Sequence, residues 1–154
     1  MTTLPRPDDT RQPRGRVIAR ILLGIVLIVA GIGHLTAQRA EFQAQVPDWV
    51  PLDKDFVVLV SGVVEIALGL ALIALPRYRA IVSLVVAVFF VAVFPGNVHQ
   101  YVAHIDAFGL DTDTQRLIRL FFQPVLVVWA LFAGFLGWWP RRSERGRVDA
   151  TASD

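Results

Sequence analysis

The chain has 154 residues, of which 55% are hydrophobic and 18% charged, and its formal net charge is +2. Soluble domains usually carry about a quarter charged residues, so this composition disfavours an ordinary soluble domain. Because the chain has no cysteine, a dithiol relay, a disulfide and cysteine-ligated iron–sulfur clusters are excluded. The basic residues lie in the flanks and connectors, where an anionic lipid surface accounts for them, and no nucleic-acid motif is present.

Long apolar runs dominate the rest of the chain. There are four of them, at 17–35, 56–75, 80–95 and 117–139. A helix needs about 20 apolar residues to cross ~30 Å of hydrocarbon, and these runs lack the charged face of a surface helix, which argues against a soluble bundle. We therefore predict an all-α integral membrane four-helix bundle, antiparallel and up-down-up-down. The predicted spans are 16–37, 55–75, 79–101 and 115–139.

The segments between the runs differ in charge. Arginines precede the first run as in a signal peptide, but that run is long and no clear cleavage site follows it, so we interpret it as a retained helix. The tails at 1–15 and 140–154 and the connector at 76–79 are basic, whereas the other connectors are acidic or mixed. The positive-inside rule then predicts a multi-pass protein of the cell (plasma) membrane with both termini, as disordered tails, in the cytoplasm. Trp138 and Trp139 suit an interfacial belt.

The first outer connector contains apolar residues that could lie on the membrane surface, among them Phe42 and Trp49. Pro47 and Pro51 prevent a long helix there. We predict one short interfacial helix over about 38–45, followed by an extended turn.

Polar residues inside the predicted spans are few, and they fall in the outer half of the bundle. At a rise of about 1.5 Å per residue, Ser61 lies roughly 9 Å deep and Glu65 roughly 15 Å deep. Three-and-four spacing places them on stripes with small residues, which let membrane helices approach closely. We therefore predict that the stripes face the bundle and form one outward-facing ligand pocket. Its predicted residues are His34, Ser61, Glu65, Asn97, His99, Arg119 and Gln123.

Glu65 needs an explanation, because an intramembrane carboxylate costs about 2.5–3.5 kcal/mol on insertion scales. It can pair with Arg119 across the bundle, or stay protonated and donate a hydrogen bond. Polar residues between membrane helices can also be simple fasteners. The clustering of so many on one side of the membrane favours a site.

Five segments together resemble the DoxX family of membrane proteins, in particular its small four-helix members. They are "GIGHL", "VPDWVP", "SGVVEIALGLALI", "VFPGNVHQYV" and "RLIRLFFQPVLVVWAL", and the resemblance covers about residues 17–137. It implies a four-helix membrane protein, with some relatives in quinone-linked sulfur-oxidising or redox-stress complexes and more distant ones acting as membrane chaperones. The family's recurrent polar positions correspond to His34, Glu65, Asn97, His99, Arg119 and Gln123.

Three functions fit these features. The first is an accessory subunit of a membrane redox system that binds a quinone or similar amphipathic molecule. Such a chain is at most an oxidoreductase subunit, because it has no catalytic motif and no recognisable intrinsic cofactor site. The second is a non-catalytic scaffold or chaperone that binds a lipid or a partner protein, and the third, less favoured, is a proton-coupled transporter. No metal motif is present, and His34 and His99 are too near the surface for a convincing haem site.

Overall fold

The computed structural model of the protein describes residues 12–135. In that range the chain is helical, without strands. The helices are α1 (Arg14–Leu35), α2 (Arg39–Gln45), α3 (Lys54–Ala74), α4 (Arg79–Val102) and α5 (Asp113–Ala130), the last continued by a π-helical turn (Leu131–Phe135). Four of them are long and apolar enough to cross a membrane. The prediction of an all-α chain with four long apolar helices is confirmed.

The ends of the long helices differ from the predicted spans by two residues or fewer wherever the structure describes them. The first helix, α1, begins at Arg14, two residues before the predicted span and directly after Pro13, whose fixed φ suits a helix start. Residues 136–139 of the fourth predicted span, including Trp138 and Trp139, lie outside the described residues. So do the tails at 1–11 and 140–154.

Local sequence signals fix several helix ends. Asp53 caps α3 by accepting a hydrogen bond from the backbone N–H of Phe56 at 2.9 Å. Thr112 and Gln115 form a capping box at the start of α5. The short helix α2 ends at Gln45, two residues before Pro47, as expected from the backbone hydrogen bond that a proline cannot make.

The closest helix contact is between α1 and α3, which run antiparallel. A Cβ atom added to Gly24 would lie 2.8 Å from the carbonyl oxygen of Gly69, and one added to Gly31 would lie 2.6 Å from that of Gly62. The two backbones therefore touch at two levels, seven residues apart on each helix. As predicted from the small-residue stripes, glycines make this approach possible.

The second helix pair, α4 and α5, completes a hydrophobic core between the four long helices. Leu23 and Leu27 of α1 and Leu72 of α3 meet Val86, Phe90 and Ala130 there, all 5% exposed or less. Many large apolar side chains on the outside of the long helices remain exposed, for example Val29 at 63% and Val88 at 60%. Such surfaces are expected where helices face lipid.

A buried polar cluster at the α2 end of the bundle

The C-terminal end of α1 brings His34 against Glu65 of α3. The two side chains are 8% and 7% exposed, and Nε2 of His34 lies 3.4 Å from Oε2 of Glu65. The contact is within ion-pair distance but is not a hydrogen bond, since Oε2 of Glu65 has no hydrogen-bond partner among the described residues. The other ring nitrogen of His34, Nδ1, has none among them either. The glycine contact allows this pair, since a Cβ on Gly62 would lie 2.7 Å from Cβ of His34.

His34 lines a cavity of about 150 Å³, which we call the His34 cavity. Its walls are α3, through Val58 and Ser61, and α4, through Val93 and Gly96. Phe42 of α2 and the segment 45–50 close another side, and the ring of Phe42 stacks on that of His34 with centroids 3.4 Å apart. The cavity is therefore mostly apolar, with a buried imidazole in its wall.

Next to this cavity, amide side chains form a connected network. Asn97 donates to Gln123 at 2.9 Å, and Gln123 donates to the backbone carbonyl of Phe90 at 2.7 Å. Gln45 donates to Gln100 at 2.5 Å and, at 3.5 Å, to Asn97. Hydrogen bonds between these buried amides thus join three helices, α2, α4 and α5, and supply partners for the polar groups of the side chains.

Arg119 joins this network to the loop before α5. It donates to Oε1 of Gln45 at 3.3 Å, and its guanidinium lies 4.2 Å from the ring centroid of Phe108. Phe108 packs edge-on against Phe42, and its backbone N–H donates to the carboxylate of Glu41. Together, α2 and this loop cover the cluster on the side where the sequence predicted an opening.

The structure brings together most of the predicted site residues, in two adjoining groups. His34 and Ser61 line the His34 cavity and Glu65 contacts His34, whereas Asn97, Arg119 and Gln123 lie in the amide network. The suggested pairing of Glu65 with Arg119 does not occur. Glu65 lies within ion-pair distance of His34 instead, because the glycine contact brings α1 next to α3.

His99 is not brought to the others. It lines an open groove with Trp49, Pro95 and Val102. Residues two apart on a helix differ by about 200° in direction, so His99 cannot share the inward face of Asn97. The two histidines of the haem alternative therefore line different cavities.

Sequence reasoning missed two buried residues of the network, Gln45 and Gln100, which are 8% and 1% exposed. Gln100 could have been found, because it follows Asn97 by three residues on the same face of α4. Gln45 could not, because its burial depends on the way α2 folds back onto the bundle. Arg20 was also missed: it is 5% exposed and donates to the backbone carbonyl of Leu72 at the opposite end of the bundle.

Charged residues around the cluster are paired at its surface. Arg39 bonds to Asp55, and this hydrogen bond raises the pKa of Arg39 above its usual range. A hydrogen bond from Lys54, 2.7 Å away, lowers the pKa of Asp48. Between residues 12 and 135, no group of three or more potential ligands is placed to hold a metal ion.

Residues 23–134 match the protein family described as "Domain of unknown function (DUF8561)". The chain belongs to this family. Its match begins within α1 and ends in the π-helical turn, so it covers the C-terminal part of α1, the whole of α3, α4 and α5, and the polar cluster. No curated protein and no solved structure matches the chain.

Proposed function

We propose that this chain binds the head group of a quinone, or of a similar amphipathic molecule, in the His34 cavity, as an accessory subunit of a membrane redox system. The observation that carries the proposal is the buried imidazole of His34, which lines an apolar cavity and contacts the buried carboxyl group of Glu65. A buried imidazole nitrogen without a partner is costly, and a ligand carbonyl or hydroxyl can supply the missing hydrogen bond. The proposal agrees with the DoxX resemblance, which we retain as a hypothesis of wider relationship.

The size of the cavity favours a ring. Complete ligand sites usually measure about 300–1,000 Å³. At about 150 Å³ the His34 cavity is smaller, but an apolar cavity of similar volume is known to hold a benzene ring. A quinone ring would therefore occupy the cavity while its apolar tail lay in the surrounding lipid. The aromatic rings of Phe42 and Trp49 in the wall suit such a head group.

The histidine and the carboxylate supply proton chemistry next to the ring. His34 can donate to, or accept from, a ring oxygen, and Glu65 on its other side can exchange the proton. Electrons must come from a partner protein or from the bound quinone, because the chain has no cysteine for a thiol relay. The role is therefore that of a subunit, with other membrane or redox proteins as its partners.

A scaffold or chaperone role is the second candidate. It is favoured by the amide network, since Gln45, Asn97 and Gln123 are largely satisfied by each other, as fasteners between helices would be. In that case the cavity would take a lipid or a segment of a partner protein.

We also propose that the protein lies in the plasma membrane. Its α2 end then faces outward, and both termini lie in the cytoplasm. The antiparallel α1–α3 contact places Arg14 and Arg77 at the same end of the bundle, opposite α2. The positive-inside rule assigns such an end to the cytoplasm. With no native cysteine, Tyr78→Cys should react with an impermeant thiol reagent only in inside-out vesicles, and His104→Cys only in intact cells.

The function is tested by extracting the ligand from purified protein. Solvent extraction followed by absorbance and mass spectrometry should show a co-purifying quinone in the parent protein and in His99→Phe, and little of it in His34→Phe. A stoichiometric protein partner without quinone would instead support the scaffold. Equal amounts of co-purifying quinone in His34→Phe and His99→Phe would show that the quinone does not bind in the His34 cavity.

A further inference from the structure

The end of the bundle opposite α2 has a groove of its own. A short 3-10 turn, Pro76–Tyr78, joins α3 to α4 and carries Arg77, and Arg79 is the first residue of α4. These two arginines line a groove of about 410 Å³, together with Tyr78 and a wall of apolar side chains. This volume falls within the range of about 300–1,000 Å³ for ligand sites.

Positive charge accumulates at this groove. Within residues 12–135, neither Arg77 nor Arg79 forms an ion pair, and the carboxylates that do so lie at the α2 end. The buried guanidinium of Arg20 bonds to backbone carbonyls at the end of α3, at the same end of the bundle. Three guanidinium groups at one end of the bundle create a strong preference for an anion.

The other wall of the groove is apolar. Ile81 and Leu84, which follow Arg79 along α4, are 65% and 42% exposed, and Phe135 faces them from the π-helical turn. An arginine pair directly beside an apolar wall fits a molecule that has a phosphate and a hydrocarbon chain. A second copy of the chain would bring the same positive charges together and is disfavoured.

We propose that this groove binds one anionic phospholipid. Its phosphate lies between Arg77 and Arg79, which can bind phosphate oxygens in a bidentate manner, and the hydroxyl of Tyr78 is a further donor. One acyl chain lies along Ile81, Leu84 and Phe135. The site is independent of the ligand proposed for the His34 cavity, which lies at the other end of the helices.

The test is native mass spectrometry of the full chain in detergent, with phosphatidylglycerol and phosphatidylcholine of identical acyl chains added as competitors. The parent protein should retain one phosphatidylglycerol in preference to phosphatidylcholine. Arg77→Gln should weaken retention about five-fold, the effect of roughly 1 kcal/mol per basic residue near an anionic lipid. Ala80→Trp, which fills the groove but keeps both arginines, should abolish it.

Arg14→Gln is the matched control, because Arg14 is an exposed arginine at the same end of the bundle and does not line the groove. It should leave lipid retention unchanged. Equal losses in Arg14→Gln and Arg77→Gln, or equal retention of the two lipids by the parent, would overturn the proposal. Displacement of the lipid by millimolar inorganic phosphate would also overturn it, since the groove would then be a site for small anions.

Discussion

Replacing Gly31 with alanine should destabilise the contact between α1 and α3. The added Cβ would lie 2.6 Å from the carbonyl oxygen of Gly62 and 2.7 Å from Cγ1 of Ile66. Ordinary contacts begin near 3.4 Å, so the helices must separate locally by about 0.8 Å. Because one of the obstructing atoms is backbone, a side-chain rotation cannot relieve the clash. Overpacking of this kind typically costs about 1–3 kcal/mol.

Gly15→Ala provides the control, because nothing lies within 4 Å of its added Cβ. Gly31, in the helix interior, gains up to about 1 kcal/mol in helix propensity on becoming alanine, and Gly15, in the first turn, gains less, so the difference between the variants is a lower limit on the cost of the clash. The free energy of unfolding is measured by titrating the purified protein in mixed micelles with a denaturing detergent and following helicity. We expect Gly31→Ala to be less stable than Gly15→Ala by about 1–3 kcal/mol. Equal stabilities would refute the glycine contact as described.

Three further predictions concern the α2 end. A double-mutant cycle of Glu65→Gln and His34→Phe should give a coupling energy of about 0.5–3 kcal/mol in the same unfolding assay, and additive effects would contradict the pairing. Gln45→Leu should cost about 1–3 kcal/mol by leaving buried polar partners unsatisfied, while Gln38→Leu on the exposed surface should cost little. Because the pKa of Asp48 is lowered in the folded protein, the stabilisation that this carboxylate gives the folded state is complete above about pH 4 and is lost as the pH falls through the lowered pKa. Asp48→Asn should therefore flatten the acid limb of a profile of melting temperature against pH.

The four long helices could be predicted because two signals in the sequence are nearly independent of tertiary context. Length and hydropathy define a membrane span, and three-and-four spacing defines which face carries small residues. Gly24 and Gly31 on α1, and Gly62 and Gly69 on α3, share a seven-residue spacing that also indicates the register of the two helices. The structure uses that register.

The partners within the polar cluster were harder to predict. Glu65 is one turn below Gly62, and helical side chains lean toward the N-terminus of their own helix, so Glu65 reaches the level of His34. To predict that contact, one must know that α1, rather than α5, is the close neighbour of α3. The covering of the cluster was also unpredictable, since it depends on the position of Phe108, a non-glycine residue with a φ of 60° in the loop before α5.

The most direct test of the account is the affinity of the purified protein for a short-chain quinone, with His34→Phe as the decisive variant. Phenylalanine retains a ring that can stack on Phe42 but removes both ring nitrogens. The loss of one hydrogen bond worth about 1.4 kcal/mol should weaken binding about ten-fold. His99→Phe, in the separate groove, should bind as the parent does. Unchanged affinity in His34→Phe would contradict the proposal that His34 holds the head group.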